Sequence, residues 1–281
     1  MGIPWWARMG AKLALRPLGI DYGLWRRVGL FRHGAMDDPN HAIAVFDRHF
    51  AHYNGGPGFV CLELGCGDAL SSALIARTRG SARTILVDVG DFADGDPLVY
   101  DRLATALGLE ECYADRNDYL RRANAIYLTH GLASLRELPD ACVDFLFSNA
   151  VLEHVRRAQF ADISRELSRI LRPGGTATHQ VDLRDHLGGG LNNLRFGDGF
   201  WERPGVAEAG FYTNRLRMDE VLSMLAQDGL RAEVLSTSHF DAPAIARRHL
   251  HGQFAGLPDE ALRIAGFMVR LRRENAASVA G

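Results

Sequence analysis

Residues 60–69, read as V-C-L-E-L-G-C-G-D-A, decide the fold of this chain. The apolar run that ends at Leu64 is typical of a short buried strand. Gly65 and Gly67 then permit a tight turn, because glycine adopts positive φ and leaves the backbone open to a ligand. Apolar side chains at helical spacing follow. The stretch predicts strand, glycine turn and helix, and the helix N-terminus offers unpaired N–H groups to a carboxylate or phosphate.

A second strand, predicted near residues 84–88, indicates what the glycine turn binds. It ends at Asp88, about twenty residues after the turn, where an acidic side chain is placed to bind ribose hydroxyls. Without this partner, the turn would fit any strand–helix connection. The dinucleotide-binding fingerprint G-x-G-x-x-G is not matched, because Leu70 stands at its third glycine.

The pattern E-x-G-x-G, from Glu63 to Gly67, together with an acidic end to the second strand, resembles the class I S-adenosylmethionine (SAM) methyltransferases. Ala69 stands where many members carry a third glycine. The resemblance implies that SAM lies over the glycine turn, with its ribose on Asp88 and its methionine end near Asn149. The cofactor-binding residues that it implies are Glu63, Gly65, Cys66, Gly67, Asp88, Val89, Leu132, Ala133 and Asn149.

The adenine loop departs from the family pattern. Many members carry an acidic residue at the position of Leu132, where it contacts the adenine amino group. The loop backbone or Ser134 would have to replace that contact here.

The rest of the chain alternates strand and helix. Strands are predicted near 59–64, 84–88, 125–129, 143–148, 175–181, 231–237 and 265–272. Helices are predicted near 69–79, 97–107, 117–123, 157–171 and 218–228. The alternation predicts a Rossmann-like α/β fold, with a seven-stranded, mostly parallel sheet covered by helices on both faces. The resemblance implies that the last strand is antiparallel.

Two segments carry the catalytic candidates. Residues 148–155, S-N-A-V-L-E-H-V, resemble the family's segment after the fourth strand. His154 is either a general base for a hydroxyl or a group that bonds backbone and orients the cofactor loop. Residues 182–186, D-L-R-D-H, place Asp182, Asp185 and His186 at the same edge of the sheet. The alternative is a solvated loop with local ion pairs. We favour His186, with an aspartate partner, as the base.

The sequence predicts a helical extension over residues 1–58 and a SAM-binding domain over 59–281. A lid-like insertion is predicted at 187–217, or a small satellite core beneath that loop. Trp5, Trp6, Met9 and Leu13 are predicted to fall on one apolar side of the first helix, and the first 35 residues carry six basic residues and one acidic residue. The basic N-terminal helices either contact an anionic membrane or, as we favour, pack on the core or a partner chain.

Composition narrows the class of protein. The net charge of −2 argues against bulk nucleic-acid binding. Four cysteines without C-x-x-C spacing indicate free thiols in a reducing cytoplasm. The only lysine, Lys12, argues against Schiff-base chemistry and Walker-type loops. No transmembrane helix, signal peptide or metal ligand is predicted, although Asp182 and Asp185 weakly indicate a divalent metal.

We therefore predict an enzyme that uses SAM to methylate a hydroxyl of a sugar-containing or other small molecule. Residues 86–93 and 180–186 resemble methyltransferases encoded with bacterial surface-polysaccharide genes. The alternatives are an N- or C-methyltransferase of a metabolite, a non-catalytic SAM-binding protein and a Rossmann-like oxidoreductase. Formation of a homo-oligomer is left open.

Overall fold

A computed structural model describes residues 4–15, 35–227 and 229–273. They form a seven-stranded sheet with the strand order β3-β2-β1-β4-β5-β7-β6. The strands are β1 Val60–Leu64, β2 Arg83–Val87, β3 Ala125–Leu128, β4 Val143–Asn149, β5 Leu171–Asp182, β6 Leu230–His239 and β7 Ile264–Arg273. The seven predicted strands are all present.

Strand direction changes only at the last strand. Strands β1 to β5 pair in parallel, whereas β7 runs antiparallel between β5 and β6. The predicted fold class, a mostly parallel Rossmann-like sheet with an antiparallel last strand, is confirmed. Because parallel strands share their carboxyl edge, the ends of β1, β2, β4 and β5 meet at one side of the sheet.

Helices cover both faces of the sheet. They are α1 Trp5–Leu15, α2 Pro39–Phe50, α3 Ser72–Thr78, α4 Pro97–Ala106, α5 Arg116–Arg122, α6 Leu132–Glu137, α7 Arg157–Ile170, α8 Asp198–Trp201, α9 Pro204–Ala207, α10 Met218–Leu225 and α11 Asp259–Arg263. The five predicted helices of the core correspond to α3, α4, α5, α7 and α10. The sequence analysis missed α6 and the short helices α8, α9 and α11, because four to six residues are too few to show helical periodicity.

The two faces bury separate apolar cores. One core contains residues of β1, β4, α2, α3 and α4, among them Phe46 and Phe147. The other contains residues of β4, β5, β7, α7 and α10, among them Leu146 and Phe267. Helix α2 begins after Asp38, which caps its first turn by accepting a hydrogen bond from the N–H of Asn40. It packs directly on the sheet. The division of the chain at residue 58 stays a prediction.

Two connections pack together, and we call them the cap: residues 187–217 and residues 240–263. The first segment buries a cluster that includes Trp201 and Phe211, and the apolar side of α1 packs against it through Trp5, Met9 and Leu13. The two segments share a second cluster that includes Leu194 and Phe254. The cluster under the insertion is the satellite core considered in the sequence analysis, and the lid-like role of the insertion stays a prediction. Helix α1 packs on this cluster of the cap.

Membrane contact by the N-terminus stays a prediction. The prediction that Trp6 belongs to the apolar side of α1 is wrong: Trp6 is 63% exposed, because only Trp5, Met9 and Leu13 face the cluster of the cap. The second basic segment, residues 21–31, lies outside the described residues. Within the described part of the chain, the helices are all too short or too polar to cross a membrane.

Candidate cofactor and acceptor site

The glycine turn after β1 has the predicted backbone. Gly65 and Gly67 adopt φ values of 78° and 68°, a region that other residues rarely occupy. The N–H of Gly65 donates to the carbonyl of Val87 at 2.7 Å and ties the turn to β2. A Cβ atom on Gly65 would lie 2.9 Å from Cγ1 of Val151 and closer still to its Cγ2. Gly65 is therefore required for close packing as well as for its φ.

Asp88 follows β2 and faces this turn. Its Oδ2 atom accepts a hydrogen bond from the N–H of Gly67 at 3.0 Å, and its Oδ1 atom accepts one from the N–H of Val89 at 2.7 Å. These bonds fix the orientation of the carboxylate. The side chain of Val89 is 76% exposed. An oriented carboxylate beside an exposed apolar side chain fits a ribose and the base attached to it.

The adenine loop lies against the same residues. The N–H of Gly131 donates to the carbonyl of Asp88 at 2.8 Å, and Val89 packs close to Gly131. Helix α6 begins directly afterwards, with Leu132 half-buried and Ala133 exposed. Ser134 is buried, and its hydroxyl accepts a hydrogen bond from the N–H of His130. Ser134 thus serves the loop, which leaves backbone groups as the candidates for adenine.

Glu63 and Cys66 lie beneath the turn. Burial, followed by the negative charge of Asp88, raises the pKa of Glu63 to about 8, and a hydrogen bond with Ser72 opposes this shift. Burial also raises the pKa of the Cys66 thiol. Both side chains are closed off from solvent. We infer that they support the turn and that Cys66 would meet a cofactor only through its backbone.

Asn149 ends β4 at the carboxyl edge. Among the described residues, its buried Oδ1 atom accepts no hydrogen bond of ordinary geometry. His49 of α2 lies nearby: burial lowers the pKa of His49 to about 4, and the Asn149 amide opposes that shift. The interaction with His49 therefore gives this amide a partner at the end of β4.

Removing the Asp88 carboxylate should weaken SAM binding. We expect Asp88→Ala to lose roughly 1.5–3 kcal/mol, or about tenfold or more in affinity, because a carboxylate bonded to ribose hydroxyls makes charge-assisted hydrogen bonds. Calorimetric titration with SAM measures this. Asp91→Ala is the matched control, since Asp91 is committed to Arg116 through hydrogen bonds of 2.6 and 2.8 Å. Unchanged affinity in Asp88→Ala would contradict the assignment.

The two histidines predicted as bases meet in the structure. The ring centroids of His154 and His186 are 4.8 Å apart, and the rings are nearly perpendicular. Nδ1 of His154 lies 3.1 Å from the carbonyl oxygen of Tyr212. Because a carbonyl oxygen only accepts, this contact places a proton on Nδ1 of His154. His186 is exposed at the carboxyl edge, where an acceptor can reach it.

The two aspartates of this segment have other partners. Asp182 accepts hydrogen bonds from Arg184, at 2.7 Å from Nη2 and 2.9 Å from Nε. Asp185 is buried and accepts from the N–H groups of Leu187 and Gly189 and from Asn192. The described bonds of Asp185 organise the loop, which argues against its predicted role as the partner of His186. Within the described residues, no group of three His, Cys, Asp or Glu side chains could hold a metal ion.

Glu153 is a candidate that the sequence analysis missed. It lies in the short 3-10 helix Leu152–His154 after β4 and is only 3% exposed. Neither carboxylate oxygen makes a hydrogen bond of ordinary geometry within the described residues. Burial, followed by the charge of Asp182, raises its pKa to about 8. The signal in the sequence was the acidic residue beside His154, whose burial could not be known from the pattern.

The raised pKa of Glu153 predicts a pH-dependent stability. Between its ordinary value of 4.5 and about 8, the folded state holds a proton that the unfolded state has lost. The free energy of unfolding therefore falls as pH rises through this range, by up to about 1.4 kcal/mol per pH unit. Glu153→Gln cannot ionise, so its stability relative to wild type should improve steadily over the same range.

Urea unfolding at several pH values measures this effect. Glu137→Gln, at an exposed position of α6, is the matched control and should follow the wild type. Parallel curves for Glu153→Gln and wild type would show that Glu153 does not hold a proton in the folded state.

The cap is hydrogen-bonded to the 3-10 helix Leu152–His154 and the residue after it. The N–H of Asn214 donates to the carbonyl of Glu153 at 2.7 Å, and its side-chain amide donates to the carbonyls of Leu152 and Val155. The next residue, Arg215, is buried between the rings of Trp201 and Phe254, at 5.2 and 5.1 Å. The cap therefore forms a packed wall beside His154 and His186.

Comparison with known proteins agrees with this site. Residues 103–178 match the family model described as a methyltransferase domain. A solved SAM-dependent methyltransferase from Methanosarcina mazei is 15% identical, with a TM-score of 0.51, over 80% of this chain and 97% of that chain. No curated protein sequence matches the chain.

Two further solved structures have lower structural scores. A SAM-dependent methyltransferase from Mesorhizobium loti is 16% identical over 84% of this chain and all of that chain, with a TM-score of 0.46. Geranyl diphosphate C-methyltransferase from Streptomyces coelicolor, solved with S-adenosyl-L-homocysteine, is 15% identical over 83% of this chain and 80% of that chain, with a TM-score of 0.49.

The solved structures show the fold, and the domain match adds the activity. The protein is a SAM-dependent methyltransferase, and SAM is its cofactor. The predictions of enzyme class and cofactor are confirmed. The roles of the individual site residues stay predictions, which the fixed Asp88 carboxylate and the exposed Val89 support.

Proposed function

We propose that this methyltransferase transfers a methyl group to a hydroxyl of a sugar-containing small molecule in the bacterial cytoplasm. The observation that carries the proposal is the pair formed by His154 and His186 at the carboxyl edge. A hydroxyl must lose its proton as it is methylated, and an accessible imidazole is suited to accept one near neutral pH. A base is less important for a neutral amine, which attacks through its free electron pair.

The residues along the carboxyl edge of the sheet have separate roles in this proposal. When bound, SAM supplies a methyl group already activated by its positively charged sulfur. The turn at Gly65 and the Asp88 carboxylate would hold the nucleoside, and Asn149 the methionine end. His186 would take the proton of the hydroxyl. The Nδ1 proton that His154 directs to Tyr212 keeps that ring in a fixed orientation beside His186.

The cap supports an acceptor with a sugar ring. Phe196 and Phe200 are half-buried, with ring centroids 5.2 Å apart. Aromatic rings with nearby amide and guanidinium groups are a common surface for polar rings that have one apolar face. The resemblance of residues 86–93 and 180–186 to methyltransferases of surface-polysaccharide gene clusters points to the same acceptor class.

A mass-spectrometric screen tests this proposal. The protein is incubated with SAM and a panel of nucleotide-activated sugars, lipid-linked saccharides and glycosylated small molecules. A SAM-dependent gain of one methyl group on a sugar hydroxyl is expected. Methylation of amines or carbon acids in a parallel panel, with none on sugars, would contradict it.

A further inference from the structure

Three basic side chains of the cap form a group that we call the basic cluster: Arg195, Arg248 and His249. Arg195 ends the 3-10 helix Asn192–Arg195, and the other two lie in the 3-10 helix Arg247–His249 of the second cap segment. The N–H of His251 donates to the carbonyl of Leu194 at 2.9 Å, which joins the two 3-10 helices and brings Arg195 near Arg248 and His249. Desolvation, followed by the positive charges of both arginines, lowers the pKa of His249.

The basic cluster lacks carboxylate partners among the described residues. Arg195 donates to the amide oxygen of Asn192 at 3.0 Å and stacks on the ring of Trp5 at 5.1 Å. In the part of the chain that the structure describes, no ion pair involves Arg248 or His249, although the neighbouring Arg247 is paired with Asp259. Like charges held together without counter-charges repel one another, so the cluster is suited to bind an anion.

A chain of hydrogen bonds connects the basic cluster to the catalytic edge. The amide of Asn192 donates to the buried carboxylate of Asp185 at 3.1 Å, and its oxygen accepts from Arg195. His186 is the residue after Asp185. The loop that presents His186 thus also holds Arg195 in place. His186 and Arg195 therefore lie at the two ends of one hydrogen-bonded segment, residues 185–195.

We propose that the basic cluster binds the phosphate or diphosphate group of the acceptor. The inference rests on the proposed function and specifies its substrate class: the methylated sugar is carried on a diphosphate, supplied either by a nucleotide or by a lipid. Guanidinium groups bind phosphate oxygens through paired, charge-assisted hydrogen bonds. Trp5, which stacks on Arg195, places an apolar ring beside them.

Calorimetric titration of the full chain with inorganic pyrophosphate tests the site without any methyl transfer. Saturable binding is expected, and Arg248→Gln should weaken it about tenfold or more. Arg165→Gln is the matched control, because Arg165 is an exposed arginine of α7 that pairs with Asp162. Absence of saturable binding, or an equal loss in both variants, would overturn the proposal.

Kinetics with two acceptors distinguish the sources of the diphosphate. The two acceptors tested are a nucleoside diphosphate sugar and a polyprenyl diphosphate sugar, and the one that is methylated identifies the source. For that acceptor, Arg248→Gln should raise KM about tenfold and leave kcat unchanged. Pyrophosphate binding through Arg248, together with methylation of nitrogen or carbon, would uphold the basic cluster and overturn the hydroxyl acceptor. Methylation of a sugar hydroxyl that Arg248→Gln leaves unchanged would uphold the hydroxyl acceptor and overturn the basic cluster.

Discussion

Replacing Gly65 with valine should abolish SAM binding. The backbone at Gly65 has a φ of 78°, which a β-branched residue resists. The new Cβ atom would also enter the space of the Val151 methyl groups. Either Val151 or the turn must move, and both lie where SAM would contact bare backbone. The loss should exceed that of any single removed hydrogen bond, because the surface itself is displaced.

Gly108→Val provides the matched control. Gly108 has a φ of 74°, almost the same as Gly65, but a Cβ atom there would meet nothing within 4 Å. It therefore carries the backbone strain without the steric clash and lies after α4, away from the turn. Circular dichroism and thermal unfolding report folding, and calorimetry reports SAM binding. A folded Gly65→Val protein with wild-type affinity would contradict the role of the turn.

Replacing His186 with alanine should lower the turnover rate by about 10²–10⁴-fold while leaving SAM affinity nearly intact. A base that takes the acceptor's proton works only in its neutral form, so wild-type turnover should rise with pH as the ring loses its proton. His154→Ala should cost less in rate. It should also disturb SAM, because His154 follows the strand that ends at Asn149. Single-turnover rates at saturating SAM measure both effects.

His41→Ala is the matched control for these variants, since His41 is an exposed histidine of α2. Its rate should equal that of the wild type. A loss smaller than about tenfold in both His154→Ala and His186→Ala would contradict histidine base catalysis. In that case the same measurement on Glu153→Gln would show whether the buried carboxyl carries the proton.

Much of the fold was predictable because it depends on local patterns. The alternation of short apolar runs with amphipathic segments predicts the sheet, and the turn at Gly65 with the acidic end at Asp88 predicts the cofactor edge. In the structure, the N–H of Gly67 donates to the carboxylate of Asp88, which joins these two signals. Parallel strands place their ends together, so sequence order was enough to predict their proximity.

The insertion at 187–217 was predicted, but its packing with residues 240–263 was not, because that packing comes from contacts between distant segments. Arg215 is a charged residue of a long connection, yet it is buried between Trp201 and Phe254, which are far apart in sequence. Glu153 is likewise buried beside a distant segment, because the N–H of Asn214 donates to its carbonyl. Asp185 looked catalytic because it lies beside His186, but its hydrogen bonds serve the loop. The residue types at the carboxyl edge of the sheet identify a site, but they do not show which residue has which role.

The atom that receives the methyl group tests the account most directly. The protein is incubated with SAM carrying a ¹³C-labelled methyl group and with the acceptor found in the screen, and the product is analysed by NMR. A labelled carbon with the chemical shift of a methyl ether, correlated through the oxygen to a sugar proton, is the predicted result. A labelled carbon bonded to nitrogen or to another carbon would contradict the account.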